Sequence, residues 1–229
     1  MHLSVIIPTL DEGRRIDGCL ERLAAQPDIC QRIVVDGQSS DDTVARACRH
    51  AGVEVLTARR GRGIQQNHGA RAARGDTLLF LHADTELPAG AAATIRSTLA
   101  EPGVVAGAFR TWHVAERWRG LARSALIHLA DVRSRYTTMP YGDQAMFMPR
   151  DVFTRVGGFP EIPLMEDLAI SRKLSRLGQI RIAHRSVRVS ARRFEANPLY
   201  QAALINVMPL LYSLGVPPDV LARLYGNPR

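Results

Sequence analysis

Four short apolar runs, each followed by a segment of helical periodicity, fill the first hundred residues and leave few folds open to this chain. Leu3-Ser4-Val5-Ile6-Ile7 is an almost unbroken apolar run that stops at Pro8, as a strand buried on both faces does. Ile16, Leu20 and Leu23 follow at helical spacing, and Pro27 closes that helix. A second run, Arg32-Ile33-Val34-Val35-Asp36, ends at Gly37. Ser40 and Asp41 are good N-caps for a helix through Val44, Ala47 and Cys48 to Gly52. Val53-Glu54-Val55-Leu56 reads as a third strand, residues 65–74 as an arginine- and alanine-rich helix stopped by Gly75. Thr77-Leu78-Leu79-Phe80-Leu81 is a fourth strand, and residues 88–99 a further helix. This βαβαβαβα order with short connections predicts an α/β fold: a mostly parallel sheet with helices on both faces. Such sheets bind ligands beyond the carboxyl ends of their strands.

After Gly103 the rhythm changes. Residues 104–114 read as a longer strand and 118–132 as a helix, followed by a polar, turn-rich stretch over 133–143. A short strand is expected over 144–148 and a helix over 151–156, closed by Gly157-Gly158. Glu166 and Asp167 open a helix over 166–177, where the helix dipole favours acidic residues. A strand over 181–189 and a helical tail after Asn197 complete the chain. Neither a compositional shift nor an internal repeat divides it, so one unit over 1–229 is expected.

With 30 basic and 22 acidic residues the net charge is +8, and Lys173 is the only lysine. Arginine's planar fork pairs two-point with phosphate or carboxylate. A basic chain suits nucleic acid, an anionic membrane surface or a phosphate-bearing small substrate. The arginines are spread from Arg14 to Arg229 without aromatic interleaving or a helix-turn-helix pattern, so no nucleic acid partner is expected. Cys19, Cys30 and Cys48 form no Cys-x-x-Cys pair, and Met1 runs into the first strand without a signal peptide. A reducing cytoplasmic setting is the simplest expectation. The weakly polar stretch over 199–216 is interrupted by Gln201, Asn206, Pro209 and Ser213. It falls short of the ~20 apolar residues of a spanning helix. Packing on the core and lying against a membrane, a peripheral contact, both stay open for it.

The strand ends carry the chemistry. The first ends in Thr9-Leu10-Asp11-Glu12, the second in Asp36-Gly37-Gln38-Ser39-Ser40-Asp41-Asp42-Thr43, the fourth in His82-Ala83-Asp84-Thr85. In a parallel sheet these share one rim, and clustered carboxylates repel unless a cation or arginines lie between them. Helix capping is the bland explanation for Ser40 and Asp41, and a weaker one for Asp84. Arg59, Arg60 and Arg62 sit with Gly61 and Gly63 in a loop where backbone and guanidinium can approach a phosphate, or form a solvated arginine face. The alternating His82, Asp84 and Glu86 suit a Mg2+- or Mn2+-type cation held by one or two carboxylates plus substrate phosphates better than zinc. Gly142-Asp143-Gln144 and Met165-Glu166-Asp167-Leu168 add carboxylates, one of which can serve as a general base. Arg192-Arg193-Phe194, after the last strand, can close over an anionic group.

Taken in order, these motifs resemble those of family 2 glycosyltransferases with the GT-A fold. The resemblance runs from Val5–Glu12 and Val34–Thr43 through Gly61-Arg62-Gly63-x-x-Gln66-Asn67-x-Gly69-Ala70 and Gly75–Thr85. It continues through Gly142–Ala145, Gly157-Gly158-Phe159 and Met165–Leu168 to Ser190–Phe194, nearly the whole chain. The Leu-His-Ala-Asp-Thr and Ser-Ala-Arg-Arg variants resemble the small arsenosugar-biosynthesis, or radical-SAM/selenodomain-associated, subfamily.

The resemblance implies a transferase that moves a sugar from a nucleoside-diphosphate sugar, a UDP-sugar favoured, to the hydroxyl of an unknown acceptor. It implies inversion and dependence on a divalent cation, Mn2+ or Mg2+. Pro8, Thr9, Glu12 and Asp36 would line the nucleoside pocket, with Gln66, His82 and Ala83 also on the nucleotide sugar, Arg62 near the diphosphate and Asp84 on the metal. Asp167, with Glu166 beside it, would be the catalytic base, and Arg193 would help neutralise the leaving diphosphate. Gly142, Asp143 and Gln144 would line the acceptor or sugar pocket. The single GT-A domain would then comprise a nucleotide-binding half over 1–103, an acceptor-binding half over 104–198 and a helical tail over 199–229. Two departures stand out: His82 occupies the place of the family's first acid in Asp-x-Asp, and the late motif ends in Phe194 rather than tryptophan. A nucleotidyltransferase would carry a glycine-rich loop after the first strand, which Pro8-Thr9-Leu10-Asp11 is not.

Overall fold

The apolar run at the N-terminus becomes the centre of an eight-stranded sheet. The computed structural model describes residues 1–115, 128, 131–132, 134–136, 138–192 and 198–226. The strands are β1 (Leu3–Thr9), β2 (Ile29–Asp36), β3 (Val53–Thr57), β4 (Thr77–Phe80), β5 (Thr85–Glu86), β6 (Val104–Val114), β7 (Phe147–Pro149) and β8 (Gln179–Ser190). The helices are α1 (Gly13–Ala24), α2 (Thr43–Ala47), α3 (Arg62–Ala72), α4 (Ala91–Leu99), α5 (Arg150–Arg155), α6 (Glu166–Leu174), α7 (Pro198–Ser213) and α8 (Pro218–Tyr225). A 3-10 turn covers Gly142–Gln144.

The strand order is β3-β2-β1-β4-β7-β6-β8-β5. β1 pairs in parallel with both β2 and β4, so Ile6 lies between Ile33 and Phe80. The chain turns from β1 towards β2 and β3, then returns to the other side of β1 as β4. That reversal opens a crevice at the carboxyl ends of β1 and β4.

Period-2 alternation divides the core into two layers. Leu3, Val5, Ile7, Val34 and Leu79 face α1 and α4, meeting Ile16, Leu20 and Ile95. Ile6, Ile33, Val35, Leu78 and Phe80 face α3, α5 and α6, meeting Ala70, Phe153 and Ile170. Full burial of each large side chain stabilises the fold by roughly 1.5–3 kcal/mol. The tail closes a third cluster: Leu204 and Met208 of α7 and Leu221 of α8 pack on Leu164, Met165 and Leu168 at the start of α6.

Several expectations are corrected. β7 enters antiparallel between β4 and β6, because the chain re-enters the sheet from the rim through Tyr141–Gln144. β6 and β8 are parallel and both run towards the rim, so the parallel half of the sheet is extended beyond this interruption. Thr85 and Glu86, which follow the expected fourth strand with no strand of their own expected, form an edge strand antiparallel to β8. The helix expected from Ser40 to Gly52 shrinks to Thr43–Ala47, since Asp41 accepts hydrogen bonds from the main-chain N–H groups of both Thr43 and Gly13 (3.0 and 2.9 Å). The helix expected over 65–74 begins three residues earlier, at Arg62. Most of the helix expected over 118–132 lies outside the described residues.

Candidate functional site

A cleft opens above the carboxyl ends of β1, β4, β6 and β8. Pro8, Thr9 and Glu12 line it from the end of β1, and His82, Ala83 and Asp84 from the end of β4. His113 of β6, Ser190 at the end of β8, Arg192 just beyond it, and Gly142-Asp143 close its far side. Arg62 and Asp167 enter from the first turns of α3 and α6, and Leu204, Met208 and Pro209 of α7 form an apolar wall opposite. Among the described residues, the non-glycine residues with positive φ are Asp11, Gln38, Ala145 and Met165, all in loops at this rim. Backbone strain of this kind persists only where surrounding structure enforces it, and it clusters at functional sites.

Two carboxylates expected to act together have separate surroundings. Asp167 lines the cleft, its Oδ2 accepting from the main-chain N–H of Gly142 at 2.8 Å and its Oδ1 from that of Leu168 at 2.7 Å. Glu166 does not line the cleft. It is 2% exposed, with Oε1 2.7 Å from Arg62 Nε, and burial pushes its carboxyl up while Arg62 holds it down, leaving it above the ordinary range. Glu166 therefore pairs with Arg62 instead of lining the cleft beside Asp167, where it was expected. Gly142 also has a close approach to fulfil: a Cβ there would lie 3.1 Å from His82 Nε2.

Arginine lies between carboxylates, as the charge argument requires, but at Arg192. Its Nη2 is 2.6 Å from Glu12 Oε1 and 3.1 Å from Asp84 Oδ2. Arg59 pairs with Glu161 on the surface, away from the cleft. Arg193, expected at the leaving group, lies outside the described residues.

Three other expected residues are absent from the cleft lining. Asp36 is buried at the end of β2 and accepts from Ser39 N and Ser39 Oγ, at 2.8 and 2.5 Å, so its carboxylate closes its own loop and is absent from the cleft lining. Gln66 is buried and absent from the cleft lining, and it is Gln65 that lines the cleft, its Nε2 donating to Thr9 O and Val35 O at 2.8 Å. Gln144 donates to Phe109 O at 3.0 Å and accepts from Tyr141 N at 3.1 Å, bracing the turn that carries Gly142 and Asp143.

Sequence reasoning missed His113. Its Nδ1 is 2.6 Å from Asp131 Oδ1, and that buried carboxylate also accepts from Thr111 Oγ1 at 2.9 Å and faces His128 Nδ1 at 2.8 Å. Burial alone would lower the His113 pKa, but the Asp131 hydrogen bond and the nearby Asp143 charge raise it above 6.5. Burial raises Asp131 as well, and the His113 hydrogen bond and charge outweigh it, holding Asp131 below 3.8. The alternation of β6 placed His113 on a strand, but nothing periodic joins it to Asp131.

Among the described residues no three His, Cys, Asp or Glu side chains gather to hold a metal ion. Asp84 is one cleft-lining carboxylate, shared with Arg192. Such a donor set fits a hard cation that brings its remaining oxygen ligands with a diphosphate, and does not fit a resident all-protein metal cage.

The family model for glycosyl transferase family 2 matches residues 4–157, two thirds of the chain. The chain belongs to that family. A Mycobacterium tuberculosis protein of unassigned function, MT1568, is 33% identical over 107 residues, 44% of this chain, and this match spans 34% of that protein's length. Among solved structures, S. aureus TarS with UDP-GlcNAc has a TM-score of 0.65 at 18% identity, covering 83% of this chain and 58% of that one. Mannosyltransferase PcManGT from Pyrobaculum calidifontis, with GDP-Man and Mn2+, has a TM-score of 0.62 at 22% identity, covering 82% and 56%. Glucosyl-3-phosphoglycerate synthase from Mycobacterium tuberculosis, with Mn2+, UDP and glucosyl-3-phosphoglycerate, has 0.62 at 20% identity, covering 94% and 81%. These structural neighbours share the fold of this family 2 member, while its match to MT1568 covers about a third of that protein.

Proposed function

We propose that this family 2 chain transfers a sugar from a nucleoside-diphosphate sugar to an acceptor hydroxyl, in a single displacement that inverts the anomeric centre. The observation that carries the reading is Asp167: a cleft carboxylate fixed by two main-chain donors, facing a rim where Arg62 and Arg192 supply positive charge. Asp167 accepts the proton of the acceptor hydroxyl as its oxygen bonds to the anomeric carbon. The bond from that carbon to the diphosphate oxygen breaks, and the leaving diphosphate takes the electron pair. Preorganised cationic groups are worth most where charge develops, which is the role of Arg62 and Arg192 here. Arg193 belongs with them in this reading.

Asp84 would hold Mn2+ or Mg2+ together with the diphosphate oxygens, and the bound cation would stabilise the departing charge. The Mn2+ present with PcManGT and with the Mycobacterium tuberculosis synthase supports this choice. The UDP-GlcNAc, GDP-Man and UDP in the neighbours support a nucleotide-sugar donor, and we favour uridine. In this reading residues 1–103 serve the nucleotide and 104–198 the acceptor, with the subfamily suggested by the His-Ala-Asp-Thr and Ser-Ala-Arg-Arg variants and a cytoplasmic setting. A metal-supplemented screen of UDP-, GDP- and dTDP-sugars for turnover, repeated with Asp167→Asn, tests it: full transfer activity in the variant would remove Asp167 as base.

The tail supports a second element, contact with an anionic lipid surface. No helix of the described residues is long and apolar enough to cross a membrane. Yet α7 carries no charged residue, and Leu210 and Leu214 are 59% and 74% exposed, beside Arg172, which donates to Ser213 Oγ at 2.7 Å. An apolar stripe flanked by arginine suits a membrane interface. Flotation of the protein with phosphatidylglycerol vesicles, and not with neutral ones, is the expected result.

A further inference from the structure

A second pocket, of about 300 Å3, borders the cleft and has no part in transfer by Asp167. Ala83, Asp84, Val189 and Ser190 line both cavities, and the main-chain N–H of Ser190 donates to Asp84 O at 3.1 Å, so this stretch of backbone forms the partition. The remaining walls are rich in arginine. Arg14, Gly18 and Arg22 recur every fourth residue along α1 and so share one face of it. Arg188 comes from β8, where it pairs in register with Glu86 of β5. A Cβ at Gly18 would lie 3.1 Å from Arg22 Nη1, so the missing side chain leaves room for that guanidinium over the helix.

The charges around this pocket do not balance. Arg14, Arg15, Arg22 and Arg188 face two carboxylates, Asp84 and Glu86. Asp84 already lies 3.1 Å from Arg192, and Arg15 lies 3.7 Å from Glu12. Glu86 is left to serve both Arg22, at 3.3 Å, and Arg188, at 3.7 Å, while Arg14 makes no ion pair among the described residues. Both Glu86 contacts are longer than the ~2.7–2.9 Å of a charge-assisted hydrogen bond. The Arg22 and Arg188 side chains are 47% and 63% exposed, and exposed pairs of this kind hold little. An entering anion therefore displaces little.

We propose that this pocket binds the phosphate of a phosphomonoester, a ligand distinct from the donor diphosphate. Such a group carries about −1.5 to −2 charges at pH 7. Guanidinium forks pair two-point with its oxygens, and Arg14, Arg22 and Arg188 around one concavity supply three of them. A metal cation would meet the same excess of positive charge. A nucleic-acid strand would call for stacking aromatic side chains, and none lines the pocket among the described residues. The site stands whether or not the cleft takes a nucleotide sugar.

The phosphate can belong to a soluble sugar or polyol phosphate or to a lipid headgroup, and binding measurements separate the two. Calorimetry would titrate inorganic phosphate and glycerol 3-phosphate into the full chain at physiological salt, with and without UDP and Mg2+. Flotation would use vesicles containing phosphatidic acid. Phosphate binding is expected to persist with UDP present and to weaken about tenfold or more when Arg22→Gln and Arg188→Gln are combined. Gly18→Leu fills the floor, leaves every charge in place and should weaken binding as well. Arg59→Gln combined with Arg181→Gln removes the same charge from surface pairs elsewhere and should change binding by no more than about twofold. Calorimetric binding of glycerol 3-phosphate assigns a soluble ligand. Flotation lost only in the pocket variants, without binding of free glycerol 3-phosphate, assigns a headgroup. Should Gly18→Leu not fold, the exposed arginine pair carries the test. Equal weakening in the two double variants, displacement of phosphate by UDP, or neither phosphate binding nor pocket-dependent flotation overturns the site. A wild type that binds no UDP removes the nucleotide-sugar reading instead, and the variants then test the pocket by themselves.

Discussion

The main-chain N–H of Gly142 donates to Asp167 Oδ2 at 2.8 Å, so the turn before β7 and the first turn of α6 hold one carboxylate between them. A Cβ at Gly142 would lie 3.1 Å from His82 Nε2 and 3.5 Å from Asp167 Oδ2. Gly142→Ala therefore displaces either the imidazole or the turn. Small misplacements at a reacting group cost up to about a hundredfold in rate. The expected outcome is a fall in kcat of about ten- to a hundredfold with UDP affinity retained, measured by steady-state kinetics and calorimetry.

Glu166 and Arg62 form a buried pair at 2.7 Å, with Glu166 almost wholly covered. Removing one member of such a pair leaves the other's charge uncompensated and costs roughly 3–5 kcal/mol. Burial already lifts the Glu166 carboxyl to about 7, so its charge adds little to the fold, and Glu166→Gln, which keeps the volume and an oxygen facing Arg62, should lose less than that range in urea unfolding. If Glu166 instead served as the base, the same variant would lose turnover with stability intact.

The His113–Asp131 pair gives the folded state a pH signature. His113 sits above its ordinary value of 6.5, so its contribution to stability is complete below pH 6.5 and is lost as pH rises through the folded-state value. Asp131 sits below its ordinary value of 3.8, so its contribution is complete above pH 3.8 and is lost as pH falls through its folded-state value. Between about pH 4 and 6.5 both are present. Glu166, raised from 4.5 to about 7, tilts the wild-type profile across the same window, so the signature is read as the difference in Tm between the wild type and Asp131→Asn, flat between about pH 4 and 6.5 and shrinking on either side.

Gly69 of α3 packs directly on the sheet: a Cβ there would lie 2.5 Å from Ile6 Cγ2 and 2.9 Å from Val35 Cγ2. Gly69→Ala should destabilise the protein by about 1–3 kcal/mol through overpacking, despite alanine's better helix propensity. Thermal or urea unfolding reads this directly.

How legible each feature was follows from how local its cause is. β1, β2 and β4 are continuous apolar runs because both faces are covered, and β6 coincides with its expected span over 104–114. β5 is two residues long and exists because β8 offers an edge to Thr85 and Glu86, so no periodicity announces it. The direction of β7 depends on where the chain re-enters the sheet, which alternation does not encode. At the site, the cleft gathers Glu12, Arg62, Asp84 and Asp167 much as their strand-end and helix-start positions imply. Asp36 and Glu166 lie outside the cleft lining because each answers to a neighbour, Ser39 and Arg62. His113 is joined to Asp131 eighteen positions away, a pairing that only the fold creates.

The central claim is that this cleft takes a nucleoside-diphosphate sugar and that Asp167 is its base. One experiment addresses both halves: turnover of UDP-sugars with Mn2+ by the wild type and by Asp167→Asn, with UDP affinity measured in parallel. General-base catalysis contributes about 10²–10⁴-fold. The account predicts that Asp167→Asn binds UDP as the wild type does and loses turnover by a factor in that range. Undiminished turnover in Asp167→Asn, or a wild type that neither binds UDP nor consumes any nucleotide sugar, would contradict it.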